Sequence, residues 1–579
     1  MDFFGEQQLR RRKSRWLVVW YVIAVALTVA SYCVAVAALY ALASLYATGR
    51  ASVPWQLYAL TAALVGGCIV CVSGYRIWQL SRGGDVMAEL LGARAVDPGK
   101  CSPAERRLLN VVEEMSIACG VAVPPVYVLQ NEQAVNALVA GHSPNEAVLI
   151  ITRGALDKLS RDELQGVAGH EFSHILNGDM VLNVRLAGLL AGLTWLGERG
   201  EAMVLAAARQ AVGKNNVGGI GALLGAAIAF IGFPGTLAAA AIKAAISRER
   251  EFLADAASVQ FTRNPEAIAG ALDSILALPA STRVAAANAE ALAHMFFAPA
   301  VAHWWAFPTH PPIGERIRRA YPAFQRDDYR SRRHGGPREV AVLDGLGNLV
   351  KHVRTEPALL LASIGRPTPR HVDFGARLLA SLPVRLREAL RRPADAEAVL
   401  FALGGFAGKG GGGEFEIGSL GRQHTLALAD LAVPAVRSQP QKARDRFIAK
   451  FAALVEADRR VTLREFVLLT FLRQRLREGA GEPIPVRYRG IEEVAQDMQV
   501  VLALIAKAGG RAGDAPSASA ISASLERLRH LAPLEKPALL KACLDAARSD
   551  GTLNSSEAEL VRMVAATLDC PLPPVLEEL

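Results

Sequence analysis

The sequence predicts a mainly α-helical chain that crosses a membrane several times and ends in an all-helical carboxyl-terminal region. Of its 579 residues, 51% are hydrophobic and 21% are charged, which places the chain on the apolar side of soluble proteins. Long charge-free runs predict the membrane crossings, and amphipathic helical patterns in the second half of the chain predict the helical region. A chain of this length also exceeds what one globular core normally uses, so we expect several domains.

The formal net charge of +9 does not by itself indicate nucleic-acid binding. In a membrane protein a basic balance is first explained by cytoplasmic loops rich in Lys and Arg, and the chain carries none of the usual nucleic-acid motifs. We therefore expect no nucleic-acid partner. The seven Cys residues are odd in number and widely spread, which argues against a secreted disulfide framework and favours reduced thiols.

Two charge-free runs predict an amino-terminal membrane hairpin within residues 1–80. The first extends from Trp16 to Gly49 and the second from Ala51 to Tyr75, with a short corner at Arg50 between them. Each is longer than the roughly 20 residues that a helix needs to cross a bilayer. A signal peptide is the alternative, but its apolar core would be shorter than the first run. A retained anchor is therefore favoured.

Basic residues flank this hairpin at both ends. Because positive flanks stay in the cytoplasm, both ends of the hairpin are expected to face inward. The residues before the first run are Arg10, Arg11, Arg12, Lys13 and Arg15, and those after the second are Arg76 and Arg82.

A third charge-free run, Asn215 to Ile242, has a weaker partner in Met180 to Gly197, which contains Arg185 and is followed by Glu198. Hydropathy alone leaves this partner undecided.

A helix over residues 161–177 carries the residues with the clearest chemistry. Ser160 and Glu163 form a capping-box pattern at its start, and Gly178 offers a left-handed stop. His170 and His174 are four residues apart, so they project from one face and can bind one zinc ion. Glu171 lies beside them, where a carboxylate can take a proton from the attacking water and pass it to the leaving amine.

A catalytic zinc site needs a third protein ligand, and a candidate lies downstream between Ser247 and Asp255. Glu251 and Asp255 are four residues apart on one helix face. Glu251 can therefore ligate the metal while Asp255 holds a ligand histidine. Taken alone, the pattern favours a solvated charged face, because Glu and Arg are ordinary residues of helix surfaces.

These motifs together resemble the HtpX-like membrane metallopeptidases, a family that also includes the CAAX prenyl protease and the mitochondrial Oma-type proteases. The segment from Ser247 to Asp255 matches the family's S-R-x-x-E-x-x-A-D motif without a gap. Asn136-Ala137-Leu138 resembles the family's Asn-Ala-Phe segment ahead of an edge strand, here Ala147 to Thr152. Thr309 to Pro312, followed by Glu315 to Ile317, resembles its histidine-Pro-Pro helix start.

The resemblance implies a multi-pass membrane metallopeptidase with a gluzincin-type helix, a small edge sheet and one Zn²⁺ per chain. It makes Glu251 the third ligand, Asp255 its supporting acid, and His310 a donor near the developing oxyanion. A helix-capping role is the alternative for His310.

The same ligand set constrains the topology. His170, His174 and Glu251 must lie on one side of the membrane, so crossings between them must be even in number. We expect a second membrane hairpin within residues 180–242 of a peptidase domain spanning 81–322. The alternative is that neither of its two stretches crosses.

The carboxyl-terminal half reads as a separate unit. Residues 326–337 are polar and charged and predict a solvated linker within 323–340, followed by a helical region over 341–579. Within that region, Glu456-Ala457-Asp458 precedes Glu465 by nearly the interval that Ser549-Asp550-Gly551 precedes Glu557. This repeat resembles tellurite-resistance TerB-type helical domains, and we expect its acidic residues to cap helices rather than bind a cation.

The sequence therefore predicts a zinc metalloendopeptidase of the bacterial cytoplasmic membrane, with its active site facing the cytoplasm. Its expected partners are protein substrates, such as membrane or misfolded proteins, and the lipid bilayer. The alternative is a catalytically weak membrane scaffold whose helical carboxyl-terminal region recruits protein partners. The intact His-Glu-x-x-His pattern argues against that alternative, because a scaffold has no need of Glu171.

Overall fold

The computed structural model describes residues 3–210, 217–277, 284–286, 289, 292–300, 310–333, 352–353, 361–407, 415, 417, 424–457, 461–477, 484–511, 516–549 and 553–574. Its amino-terminal half contains the helices α1 (Phe3–Thr48), α2 (Trp55–Leu80), α3 (Gly84–Leu90), α4 (Pro103–Cys119), α5 (Arg153–Lys158), α6 (Arg161–Asn177), α7 (Asp179–Gln210), α8 (Val217–Thr262), α9 (Pro265–Leu276), α10 (Ile313–Ala320) and α11 (Arg326–Arg333). The strands of this half are β1 (Arg94–Ala95), β2 (Val126–Leu129), β3 (Ala137–Ala140) and β4 (Val148–Thr152).

Among the described residues, four helices are long and apolar enough to cross a membrane. Their apolar segments are Val19–Thr48 in α1, Trp55–Leu80 in α2, Asp179–Ala208 in α7 and Gly221–Ala244 in α8. The weakly apolar stretch after the His-Glu-x-x-His helix is thus part of a long helix that packs against α8. The most apolar 18-residue stretch of α7 is also the most enclosed of the four, with 61% of its residues buried.

Small residues bring α7 and α8 close together. A methyl group on Gly225 of α8 would lie 2.8 Å from Met203 Cβ and 2.9 Å from the backbone oxygen of Gly200 on α7. Such close approach of two backbones is how membrane helices gain contact area. The helix α8 then continues without a break to Thr262, well beyond its apolar segment.

The sheet has the strand order β1-β2-β4-β3. The expectation that Ala147 to Thr152 forms the edge strand is wrong, because β4 pairs in parallel with β2 on one side and antiparallel with β3 on the other. All five residues of β4 are buried, as in a central strand covered on both faces. The strand at this edge of the sheet is β3, which begins within the Asn136-Ala137-Leu138 segment.

The helix α6 has the bounds and caps that the sequence predicts. Ser160 Oγ accepts a hydrogen bond from the Glu163 N–H, and Glu163 Oε2 accepts one from the Ser160 N–H. Gly178 ends the helix with φ of 63°. Its neighbours pack tightly, since a methyl group on Gly166 would lie 2.7 Å from the backbone nitrogen of Ile268 in α9.

A solvated linker is expected over residues 326–337, but its first part forms the helix α11. This helix packs on the peptidase half. The buried carboxylate of Asp273 accepts hydrogen bonds from Arg330 at 2.7 and 3.1 Å and pairs with Arg326 at 2.6 Å. Tyr329 donates to Glu163 Oε1 at 2.9 Å. A buried acid requires such partners, which is why this charged stretch is ordered against α6 and α9. Residues 334–340 lie outside the described part of the chain.

The carboxyl-terminal half is helical, with a short strand pair between β5 (His352–Val353) and β6 (Leu553–Asn554). Its helices are α12 (Pro369–Ser381), α13 (Val384–Ala389), α14 (Pro393–Leu403), α15 (Thr425–Arg437), α16 (Gln441–Glu456), α17 (Leu463–Leu476), α18 (Ala495–Ala508), α19 (Ala518–Leu528), α20 (Lys536–Ala547) and α21 (Ser555–Thr567). They share one hydrophobic core, which also includes Ile117 of α4.

This half is docked firmly on α4 of the peptidase half. Arg391 donates to both oxygens of the buried Glu113 carboxylate at 2.6 Å. A methyl group on Gly120 would lie 2.7 Å from the carbonyl carbon of Leu572 near the end of the chain. The backbone of Gly120 has φ of 67°, so this close approach needs glycine.

Two glutamates of the repeat, Glu465 and Glu557, cap helices, as the sequence predicts. Glu465 and Thr462 form a capping box at the start of α17, and Glu557 and Asn554 form another at the start of α21. Asp458, Asp550 and Gly551 lie outside the described residues.

Candidate metal centre

Three side chains from two helices converge on one point. His170 and His174 of α6 direct their Nε2 atoms toward each other, 3.2 Å apart. Glu251 of α8 faces both nitrogens, with Oε2 3.8 Å from His170 Nε2 and Oε1 3.7 Å from His174 Nε2. All three residues are buried, and one ligand atom from each lies within 4.8 Å of the others. The solvated-face interpretation of Glu251 is therefore excluded.

The other ring nitrogen of His170 is held by a buried ion pair. His170 Nδ1 lies 2.9 Å from Asp255 Oδ1, and Arg316 of α10 donates to both oxygens of Asp255 at 2.8 Å. Although burial raises it, the pKa of Asp255 is lowered overall, because the Arg316 guanidinium stabilises the carboxylate. An ionised Asp255 keeps the proton of neutral His170 on Nδ1 and leaves the Nε2 lone pair free.

Arg316 also joins this pair to the rest of the site. Its side chain is fully buried, and Nη1 lies 3.3 Å from Glu251 Oε2 and donates to the Phe297 carbonyl at 2.5 Å. Burial raises the pKa of Glu251, but His310 and Arg316 outweigh it, so the pKa is lowered and Glu251 stays anionic.

His174 is held in the same manner by a different pair. Its Nδ1 lies 2.9 Å from Asp179 Oδ2, and Asp179 Oδ1 lies 2.8 Å from Arg250 Nη2. Asp179 is the first residue of α7, whereas Arg250 belongs to α8. The two histidines are thus each supported by an aspartate and an arginine.

Glu171 is fully buried next to the two histidines. Burial raises the pKa of its carboxyl group to about 8. Neither of its oxygens makes a hydrogen bond of normal geometry to a described residue. A carboxyl group in this position can hold and release a proton near neutral pH.

His310 reaches the centre from the start of α10. Its Nδ1 lies 3.2 Å from Glu251 Oε2, and its Nε2 lies 3.3 Å from the Ala293 carbonyl. The structure therefore brings His310 to the predicted site, but places it against the ligand Glu251.

The donor set fits a divalent cation. Because Asp255 and Asp179 hold the Nδ1 protons, two Nε2 lone pairs and a carboxylate face one another across less than 4 Å. This arrangement is repulsive unless a positive charge lies among them. Glu251 Oε2 and both oxygens of Glu171 also lack hydrogen bonds of normal geometry within the described chain, and buried polar atoms are rarely left so.

Sequence reasoning missed Asp179, Arg250 and Arg316 as supporting residues. Arg316 stands inside the Glu315 to Ile317 segment, for which the family resemblance implies no role of its own. Asp179 had a local signal, since it directly follows the glycine that ends α6, five residues after His174. The role of Arg250 has no local signal, because ordinary helix surfaces are rich in arginine.

A His-Glu-x-x-His helix and a glutamate from a helix that emerges from an apolar span define a class, the membrane metallopeptidases. The model of peptidase family M48 matches residues 102–322. A "Protease HtpX homolog" of Caldanaerobacter subterraneus subsp. tengcongensis is 37% identical over 241 residues, which cover 40% of this chain and 74% of that relative. The homologue of Leuconostoc citreum is 32% identical over 266 residues, covering 45% and 87% respectively.

The homologue of Thermoanaerobacter pseudethanolicus is 38% identical over 223 residues, or 38% of this chain and 72% of that relative. No solved structure matches the chain significantly. The chain belongs to the HtpX-like proteases of peptidase family M48, and it is a membrane metalloprotease.

Proposed function

We propose that this protein is a zinc-dependent endopeptidase that cleaves membrane or misfolded proteins at the cytoplasmic face of the bacterial cytoplasmic membrane. The observation that carries the proposal is the convergence of His170, His174 and Glu251 within 4.8 Å, beside the buried Glu171.

Zinc is the metal that this ligand set favours. Two imidazole nitrogens and one carboxylate are the three protein ligands of a common type of catalytic zinc site, which keeps one position open. Sites for magnesium or calcium are built mainly from oxygen atoms. We therefore propose one Zn²⁺ per chain, held by His170, His174 and Glu251.

When bound, zinc would supply Lewis-acid polarisation of the scissile carbonyl. Glu171 takes the proton of the attacking water and then delivers it to the leaving amine. The raised pKa of Glu171 suits both steps, because a group that titrates near neutral pH can act in turn as base and acid.

We keep His310 as a residue that steadies the tetrahedral intermediate, as the resemblance implies. To do so, one of its ring nitrogens must turn from Glu251 or from the Ala293 carbonyl toward the substrate. His310→Ala tests this role. A lower kcat with unchanged zinc affinity supports it, whereas weaker zinc binding would show that His310 instead orients Glu251.

The cytoplasmic orientation is supported by the positive flanks of the first hairpin and by the ligand positions. His174 precedes α7 by five residues, and Glu251 follows the apolar segment of α8 by seven. At 1.5 Å per residue, Glu251 lies about 10 Å beyond the end of that segment. A centre so close to the bilayer is well placed for substrates that are anchored in it.

The orientation is tested with alkaline-phosphatase fusions, since this reporter needs an oxidising exterior for its disulfides. Fusions should be active after Arg50 and near residue 205, and silent after residues 160, 330 and 579. Activity after residue 330 would contradict the inward-facing site. A silent fusion near residue 205 would contradict the second hairpin alone.

The proteolytic function is tested by cleavage of casein or a membrane protein by the purified full chain in detergent. Chelation should abolish cleavage, and added zinc should restore it. Cleavage that persists without metal would refute the proposed chemistry. A chain that binds zinc but cleaves nothing would favour the scaffold alternative.

For the chain outside residues 102–322 we propose the organisation expected from the sequence. Residues 1–80 form the first membrane hairpin, and 341–579 form a helical region with TerB-like repeats. Its buried contacts with α4 support a module that is fixed to the peptidase half, from which it can present a surface to protein partners.

A further inference from the structure

Asp179 and Arg250 connect a proposed zinc ligand to the second membrane hairpin. Asp179 is the first residue both of α7 and of the apolar segment of that helix. Arg250 lies on α8, six residues beyond the apolar segment of that helix. Their side chains meet at 2.8 Å, and both are largely buried, with 10% and 13% of the side chains exposed.

The two oxygens of Asp179 have different partners. Oδ2 faces His174 Nδ1, and Oδ1 faces Arg250 Nη2. The hydrogen bond to Nδ1 fixes the orientation of the His174 ring and leaves its Nε2 lone pair toward Glu251 and His170. Arg250 compensates the buried charge of Asp179 and restricts the position of its carboxylate.

The contact exists only while α7 and α8 are packed at their cytoplasmic ends. If the helices separate there, Asp179 loses its contact with Arg250, and its carboxylate is held less firmly against His174. His170 does not share this dependence on α7, because its partners Asp255 and Arg316 lie on α8 and α10. The two histidine ligands therefore depend on different parts of the fold.

We propose that Asp179 and Arg250 are positioning residues for His174, and that through them the packing of the second membrane hairpin sets the metal affinity. This proposal rests on the proposed zinc site. Neither residue is assigned contact with the metal or the substrate, so both act through the imidazole of His174.

The test measures zinc affinity directly, by competition with a chromogenic chelator, for the full chain in detergent. Asp179→Ala should bind zinc about 10- to 100-fold more weakly, the usual effect of removing a ligand's hydrogen-bond partner. Arg250→Gln should weaken binding by about 10-fold, and Arg250→Lys by less. The visible spectrum of the Co²⁺-loaded protein should change in Asp179→Ala, because the His174 ring is no longer held in one orientation.

A double variant separates a positioning role from general destabilisation. If Arg250 acts through Asp179, then Arg250→Gln should have no further effect on affinity in the Asp179→Ala background. Arg319→Gln is the matched control, since Arg319 pairs with Glu315 on the surface of α10 and its side chain is 59% exposed. The zinc affinity of Arg319→Gln should equal that of the parent.

The proposal would be overturned if Asp179→Ala bound zinc as tightly as the parent. It would also be overturned if the losses of affinity were additive in the double variant. Should Asp179→Ala fail to fold, Asp179→Asn carries the same test, because it preserves the side-chain size and removes the charge. A parent chain that binds no zinc would instead refute the proposed function itself.

Discussion

Replacing Arg316 by glutamine should be the most damaging single change near the metal centre. Arg316 is 0% exposed, and its guanidinium makes two hydrogen bonds to Asp255 and one to the Phe297 carbonyl. It also lies 3.3 Å from Glu251 Oε2. The substitution removes the positive charge, while the carboxylates of Asp255 and Glu251 stay buried.

The cost follows from the two charges that are left behind. Removing one partner of a buried ion pair typically costs about 3–5 kcal/mol, because the remaining charge is neither solvated nor compensated. Asp255 has a second partner in His170, but a neutral imidazole supplies a hydrogen bond without a full charge. We therefore expect the metal-free protein to lose about 3–5 kcal/mol of unfolding free energy. Arg316→Lys should lose less, since it retains the charge but not the two-pronged geometry.

The measurement is thermal or denaturant unfolding of the purified protein in detergent after removal of metal. Arg319→Gln is again the control, because that side chain pairs on the surface with Glu315 and lies over the Phe252 ring. It should cost at most about 1 kcal/mol. If Arg316→Gln and Arg319→Gln unfold alike, the buried charges are compensated in some other way and the reasoning is refuted.

Three further predictions concern the chemistry and the docking of the two halves. Glu171→Gln should retain zinc but lose about 10²- to 10⁴-fold in turnover, since only the proton-transfer group is removed; near-parental turnover would exclude it as the base. Glu251→Ala should lose more zinc affinity than Asp255→Ala, for which about 10- to 100-fold is expected; full occupancy in Glu251→Ala would remove Glu251 from the ligand set. Gly120→Ala should lower the melting temperature and speed proteolysis between the halves, because its methyl group would collide with Leu572; an unchanged melting curve would show that the tail can shift.

The sequence was sufficient wherever the deciding interactions are local. The bounds of α6 follow from Ser160, Glu163 and Gly178, whose hydrogen bonds and backbone angles involve only a few neighbouring residues. That His170 and His174 project from the same face of α6 follows from helical spacing alone. The apolar spans follow from composition over some 20 residues, because a bilayer sets a required length.

Residues that act across large sequence separations were decided only by the tertiary structure. Arg316 and Asp255 are 61 residues apart, and nothing in either local pattern distinguishes their pairing from surface charges. The position of β4 at the edge of the sheet was predicted wrongly for a similar reason, since strand order depends on which strands pair with one another in the fold. The helix α11 is ordered by the buried Asp273, whose need for a cation becomes apparent only once α9 has buried it.

The sequence by itself thus determined the bounds of α6, the apolar runs and the candidate metal-binding residues. The tertiary structure decided which charged residues support them, because compensation of a buried charge depends on distance in space and on exclusion of water. Asp179 shows the difference most clearly: in the sequence it is one acidic residue after a helix stop, and in the fold it joins His174 to Arg250.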